Sequence, residues 1–193
     1  MDNKNLAASI KQVLHPKRYK HTVGTAETAV KLAGLYGSDA LKAETAALLH
    51  DIAREFSGKR ILELCRENSI DIDDIEKVGP DLLHGKLAAG LARQRYGGKD
   101  SEILNAIRFH TTGRGKMSIL DKIIFIADMI EPGRDFPGVT ELREMAFKDL
   151  DRAVLAGLDS TIRYVLDRGL LIHPNSIEAR NSLLGLTAPG GTC

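Results

Sequence analysis

The segment TAALLHDIARE, residues 45–55, sets a histidine and an aspartate side by side in an otherwise apolar helical run. Leu48, Leu49 and Ile52 flank His50 and Asp51, so the local pattern leaves little polar surface for the pair. Burying either group without a partner costs on the order of several kcal/mol, and an ionised carboxylate costs much more. Taken alone, the doublet is either a solvent-facing pair or a pair of metal ligands, and the rest of the chain has to decide.

The composition is that of an ordinary globular protein, with 193 residues of which 43% are hydrophobic and 27% charged. The net charge of +1 and the aromatic content of 5% supply neither the basic face nor the stacking platforms of an RNA-binding module. No apolar run is long enough to cross a bilayer, and the N-terminal segment reads as an amphipathic helix and not as a signal peptide. Because Cys65 and Cys193 lie far apart in the chain, we expect a reduced cytoplasmic protein without membrane or nucleic-acid partners.

The fold class that the sequence predicts is all-α. Ala, Leu, Glu, Lys and Arg dominate, and alternating strand patterns are absent from the sequence. We expect a single domain over residues 1–185 and a disordered tail over 186–193. Caps and breakers predict helices over 3–14, 17–36, 39–54 (capped by Ser38), 57–67, 81–96, 101–110, 118–131, 140–168 (broken near Gly157), and from Asn175 onward.

Other helices carry similar polar residues among apolar neighbours. His21 and His84 could each be a satisfied core histidine, and His110 could be an imidazolium favoured by the end of its helix. Asp128, inside IIFIADMI, is harder to explain without a partner. Together with His50 and Asp51 these residues form a set of imidazoles and carboxylates without thiolate, which suits iron, manganese, zinc or magnesium. Six such groups exceed the needs of one ion, so a two-metal site bridged by Asp51 is a further hypothesis.

Several segments then resemble one known family. AALLHDIAR is similar to the signature of the HD superfamily of metal-dependent phosphohydrolases. HPKRYKHTVGTAETA, AIRFHTTG, LDKIIFIADMIEPGRDFPGV and LLIHPNSIEARN resemble its bacterial YqeK branch over most of residues 10–182. That resemblance implies a helical HD domain and the symmetrical hydrolysis of diadenosine tetraphosphate, a dinucleoside polyphosphate, into two ADP.

The resemblance also implies roles for individual residues. His21, His50, Asp51 and Asp128 would be the metal ligands, holding one or two divalent ions and in the first place iron. His84 and His110 would complete a second metal position or contact the phosphates, and together with Asp51 they are the expected catalytic residues.

The substrate carries a high negative charge, so basic side chains are expected near the ligands. Arg18, Arg54 and Arg134 each stand close in sequence to a ligand and would bind phosphate, although a surface arginine near a helix end is also common. Ile172 and His173 would contact the nucleoside, unless their segment is only a turn capped by Asn175.

Two competing functions stay open at this point. The ligand set suits other HD phosphohydrolases that act on a nucleotide, a cyclic nucleotide or guanosine tetraphosphate. A non-catalytic nucleotide sensor could keep the same pocket. The sequence decides neither the metal nor whether the protein is a monomer or a homodimer.

Overall fold

A computed structural model describes residues 3–97 and 99–185, and this part of the chain is helical. Its helices are α1 (Asn3–Lys11), α2 (Pro16–Tyr36), α3 (Ala40–Leu49), α4 (Gly58–Glu67), α5 (Asp74–Val78), α6 (Leu83–Arg95), α7 (Ser101–Phe109), α8 (Ile119–Ile130), α9 (Val139–Ala146), α10 (Leu150–Asp167) and α11 (Pro174–Leu183). A 3-10 turn, Pro80–Leu82, precedes α6. The all-α prediction is confirmed, and no described helix is both long and apolar enough to cross a membrane.

Local sequence signals explain where most helices begin and end. Pro16 occupies the first turn of α2, where its missing N–H is not needed, and Gly37 ends that helix with a φ of 67°. Ser118 and Asp121 form a reciprocal capping box at the start of α8. The cap of α3 was predicted one residue too early, since the Asp39 side chain, and not Ser38, accepts from the first free N–H groups.

The hydrophobic core surrounds α8, whose residues Ile123, Ile124 and Ile126 are fully buried. Helix α8 packs against α2, α3, α7, α9 and α10, while α2 also packs along α3 and α7 also packs against α3 and α6. Helices α2, α3 and α7 therefore meet around α8, and α6 joins them through its contacts with α7 and α3. This packing brings together residues that lie up to about a hundred positions apart in the sequence.

Two predicted helix boundaries in the C-terminal half were wrong. The stretch 140–168 is two helices, and the break lies where Asp149 caps α10 by accepting from the Arg152 N–H. Gly157 lies inside α10 and does not interrupt it. The absence of a side chain at this position makes room for Met129 and Phe125. The last helix is capped by His173 instead of Asn175.

The acidic segment before α6 also contains a helix that the sequence analysis did not predict. Asp73 and Glu76 form a capping box that starts α5. The predicted disordered tail, residues 186–193, lies outside the described part of the chain.

Candidate metal centre

The histidine–aspartate doublet lies at the end of α3 and not inside a longer helix. Helix α3 ends at Leu49, His50 is its C-cap, and Asp51 follows in a turn. Both residues are nonetheless buried, with exposures of 0% and 3%. The solvent-facing interpretation of the doublet is therefore wrong.

Four imidazole rings point the same nitrogen away from the cluster. The Nδ1 atoms of His50, His84 and His110 lie 2.6, 2.5 and 2.8 Å from backbone carbonyl oxygens, each three residues earlier in the chain. The Nδ1 atom of His21 lies 3.2 Å from the carboxylate of Glu131. Since these oxygens only accept hydrogen bonds, each Nδ1 carries a proton, and the nitrogen that can offer a lone pair to a ligand is Nε2.

The four Nε2 lone pairs converge on two carboxylates. His21 Nε2 lies 2.9 Å from Asp128 Oδ1, and His50 Nε2 lies 3.9 Å from the same atom. The Nε2 atom of His50 is buried and has no hydrogen-bond partner, and His21 Nε2 meets the Asp128 oxygen without hydrogen-bond geometry. Acceptors that face one another in this way require a cation or extra protons between them, so the residues fit a divalent metal ion.

Asp51 lies at the centre, between two pairs of imidazoles. Its Oδ2 is 3.7 Å from His21 Nε2 and 3.6 Å from His50 Nε2. Its Oδ1 is 3.5 Å from His84 Nε2 and 3.8 Å from His110 Nε2. The ligand atoms form overlapping sets close enough to hold a metal ion: His21, His50 and Asp51; His50, His110 and Asp128; Asp51, His84 and His110.

Burial and neighbouring charges set the protonation of the cluster. Burial, followed by the neighbouring His110, lowers the pKa of His84 to about 3, and burial also lowers the pKa of His110. Burial would raise the pKa of Asp51, but its electrostatic interactions with the neighbouring imidazoles, His50 first, outweigh burial and lower that pKa to about 2. Two neutral imidazoles beside an ionised carboxylate are the protonation states that metal ligation requires.

Two of the predicted arginines line a basic cleft beside His21. Arg18 Nη1 is 2.8 Å from Asp51 Oδ2, and Arg134 pairs with Asp128 through its Nη2 and donates from Nε to the Asp128 carbonyl. The cleft has a volume of about 570 Å³ and is lined by His15, Lys17, Arg18, Lys20, His21, Glu55, Glu131, Gly133 and Arg134. Lys17 and Lys20 were missed by the sequence reading, although HPKRYKH shows them within four residues of His21.

Arg54, Ile172 and His173 do not line this cleft. The positive charge of Arg54 contributes to the lowered pKa of His84, which places this arginine near the His84 end of the cluster. Thr111 Oγ1 lies 3.1 Å from the Nε2 atoms of both His84 and His110. Thr111 also lines a cavity of about 50 Å³ together with Leu82, Thr112, Thr161, Ile162, Val165, Leu171, Ile172, His173 and Ser176.

His173 has a structural role that the sequence did not indicate. Its Nδ1 accepts from the Asn175 N–H as the cap of α11, and its Nε2 lies 3.0 Å from Asp73 Oδ2. Both ring nitrogens are thus engaged within the protein. Lys86 contacts Glu76 at 2.6 Å, so this neighbouring acidic cluster already has its counter-charge.

Comparison with known proteins agrees with this geometry. Residues 18–133, which include His21, Asp51 and Asp128, match the HD domain family. The chain belongs to the HD domain family. A crystal structure of a predicted HD superfamily hydrolase involved in NAD metabolism, from Clostridium acetobutylicum, superimposes with a TM-score of 0.91 at 45% identity and covers 96% of this chain and 98% of that one.

Curated relatives of this HD-domain protein extend over nearly its whole length. A protein of Halalkalibacterium halodurans named symmetrical bis(5'-nucleosyl)-tetraphosphatase is 45% identical over 91% of this chain and 93% of its own. The Bacillus subtilis protein of the same name is 35% identical over 95% of this chain and 98% of its own. The expected HD superfamily membership and the resemblance to the YqeK branch are both confirmed.

Proposed function

We propose that this HD-domain protein hydrolyses diadenosine tetraphosphate symmetrically into two ADP, using divalent cations held by its imidazole–carboxylate cluster. The names of relatives at 35–45% identity support the substrate and the products. The observation that carries the proposal is the convergence of four Nε2 atoms on Asp51 and Asp128 beside a basic cleft. We further propose iron as the cellular ion, since the donor set suits it and the YqeK resemblance implies it.

Two ions explain the arrangement better than one. The two oxygens of Asp51 face different histidine pairs, so this carboxylate could serve two ions at once. His21, His50 and Asp128 would hold one ion together with Asp51, and His84 and His110 would hold the other. The last two histidines would then be ligands in preference to direct phosphate contacts.

The reaction needs little general-acid catalysis from the protein. When bound, a divalent cation lowers the pKa of a coordinated water and offsets charge on the phosphoryl oxygens. The water oxygen bonds to an inner phosphorus atom, and the bond from that phosphorus to the central bridging oxygen breaks. ADP leaves on a phosphate oxygen of low pKa, so His84, whose own lowered pKa keeps it neutral, need not donate a proton.

The basic side chains bind and orient the phosphates. The cleft brings Lys17, Arg18, Lys20 and Arg134 to the His21 side of the cluster, and Arg54 stands on the His84 side. Planar guanidinium groups suit phosphate oxygens because they donate two parallel hydrogen bonds. Symmetrical cleavage needs two phosphates on each side of the ions, and cations on both sides of the cluster meet that need.

The apolar cavity at the other end of the cluster, of about 50 Å³, is too small to enclose a nucleoside, so we propose that one base lies across its opening. Thr111 joins it to His84 and His110, and Leu171 and Ile172 provide apolar walls for the edge of a base. Because both His173 nitrogens are engaged within the protein, we propose that His173 shapes this cavity through its ring and does not hydrogen-bond the base.

The deciding experiment is a product analysis with defined metal. Protein stripped of metal is reloaded anaerobically with iron(II), manganese(II), zinc(II) or magnesium(II), given diadenosine tetraphosphate in ¹⁸O-water, and the products are separated by chromatography. We expect ADP alone, with one ¹⁸O atom in the β-phosphate of one of the two product molecules. Asp74→Ala, a change at a carboxylate whose side chain is 95% exposed, is the control that should leave turnover intact.

Other outcomes would overturn specific parts of the proposal. ATP and AMP as products would contradict symmetrical attack while keeping the metal-dependent hydrolase. Turnover of a cyclic nucleotide or guanosine tetraphosphate in place of the dinucleotide would assign another HD activity. Tight nucleotide binding by the fully metal-loaded protein without any turnover would make it a sensor.

A further inference from the structure

Glu131, which the sequence reading did not single out, contacts a candidate ligand from outside the cluster. This carboxylate is 4% exposed and follows the last residue of α8. Its Oε1 lies 3.2 Å from His21 Nδ1, on the opposite edge of the ring from Asp128. Its Oε2 accepts a hydrogen bond of 2.6 Å from the Gly133 N–H.

His21 differs from the other three histidines in where its Nδ1 proton goes. His50 and His110 stand at helix ends and His84 in the first turn of α6, so each finds a backbone carbonyl three residues earlier. His21 lies inside α2, where the carbonyls of the preceding turn accept from the helix itself. The carboxylate of Glu131, from another helix, supplies the acceptor that the local backbone cannot.

The protein leaves space for this carboxylate at two glycines. A Cβ atom on Gly24, within α2, would lie 2.6 Å from Glu131 Oε2. A Cβ atom on Gly133 would lie 3.0 Å from both Glu131 carboxylate oxygens. Glycine is a poor residue for a helix interior, and at position 24 the close approach of the carboxylate accounts for it.

Arg143 fixes the backbone that carries Glu131. Its Nε donates to the Ile130 carbonyl at 2.9 Å, and its Nη2 donates to the carbonyls of Glu131 and Arg134 at 2.9 and 2.6 Å. These carbonyls lie at the end of α8 and in the turn beyond it, where a guanidinium is favoured. Arg143 thus fixes the main chain at Glu131, while His21 Nδ1 and the Gly133 N–H fix its carboxylate.

We propose that Glu131 is a positioning residue that holds the Nδ1 proton of His21 and so aims the His21 Nε2 lone pair at the metal ion, with Gly24 providing the space its carboxylate occupies. A carboxylate behind a histidine ligand fixes the ring orientation and the tautomer and raises the basicity of the ligating nitrogen. The inference rests on the metal site of the proposed function and is independent of the substrate.

The first test is the metal affinity of Glu131→Gln, measured by titrating metal-free protein with manganese(II) in a calorimeter. The glutamine amide has one oxygen, so it cannot accept from both His21 Nδ1 and the Gly133 N–H. We expect the dissociation constant to rise about 10- to 100-fold, the range typical of such outer partners. The matched control is Glu44→Gln in α3, a half-buried glutamate that accepts from Asn3 Nδ2 at 2.7 Å and belongs to none of the sets of described residues able to hold a metal ion, so the manganese affinity should stay unchanged.

The second test uses the space at Gly24. Gly24→Ala should weaken manganese binding in the wild-type background and add nothing to Glu131→Ala, because the atom that it displaces is then gone. Raising the metal concentration should restore the turnover of Glu131→Gln, which a folding defect would not allow.

Two results would overturn the proposal. One is an unchanged manganese affinity in Glu131→Gln, and the other is an equal effect of Gly24→Ala with and without the Glu131 side chain. The affinity is measured without nucleotide, so a wrong substrate would leave this test standing. A wild-type protein that binds no manganese, iron or zinc would instead refute the metal site itself.

Discussion

Gly85 allows the closest approach of α6 and α7, and its replacement by alanine tests how the cluster is held together. The glycine follows His84 in α6, and an added Cβ would lie 2.7 Å from the Arg108 carbonyl oxygen and 3.2 Å from that of Ile107. Ordinary contact begins near 3.4 Å, so the two backbones would have to separate by roughly 0.7 Å. Neither obstacle is a flexible side chain that could move aside.

The expected cost combines two opposing effects. Overpacking of this kind destabilises by about 1–3 kcal/mol, while alanine in place of glycine favours a helix by roughly 0.5–1 kcal/mol. We therefore expect Gly85→Ala to lower the free energy of unfolding by about 1–2 kcal/mol, or about 2–8 °C in melting temperature for a chain of this size. Separation of the helices would also lengthen the 3.0 Å approach of His84 Nε2 to His110 Nε2, so metal affinity should fall as well.

Urea unfolding and calorimetric metal titration measure the two effects. The matched control is Gly34→Ala in α2, where an added Cβ meets nothing within 4 Å and should stabilise by about 0.5–1 kcal/mol. The reasoning is refuted if Gly85→Ala unfolds at the same or a higher urea concentration than wild type while binding metal equally well.

Three further outcomes are expected. Asp51→Ala should abolish both metal retention and turnover, measured by elemental analysis and product assay, and a metal-free variant with full activity would exclude the assignment. In the metal-free protein, His84 and His110 have lowered folded pKa values, so the unfolded chain binds more protons below pH 6.5 and stability falls with decreasing pH. Denaturation at pH 6.5 to 4 should show a slope that approaches about 1.4 kcal/mol per pH unit from His84, with His110 acting in the same direction, and a flat profile would contradict neutral burial. Ser118→Ala removes the cap of α8 and should cost about 1 kcal/mol in thermal unfolding, whereas no loss would mean that the cap contributes nothing.

The helices and the candidate ligands could be predicted from the sequence because their signals are local. Pro16 and Gly37 bracket α2, and Ser118 with Asp121 starts α8, through contacts within one turn of chain. The misplaced break near Gly157 shows the limit of that reasoning. This glycine serves contacts with α8, which no neighbouring residue in the sequence reveals.

The sequence by itself determined the chemistry of the site, because imidazoles and carboxylates inside apolar helices need a compensating partner wherever they come to lie. Only the tertiary structure decided the geometry. The contacts of Asp51 with His21 and His84, of Glu131 with His21 and of His173 with Asp73 join residues 30–110 positions apart. Such contacts depend on how whole helices pack around α8, and packing is a property of the assembled core and not of any one segment.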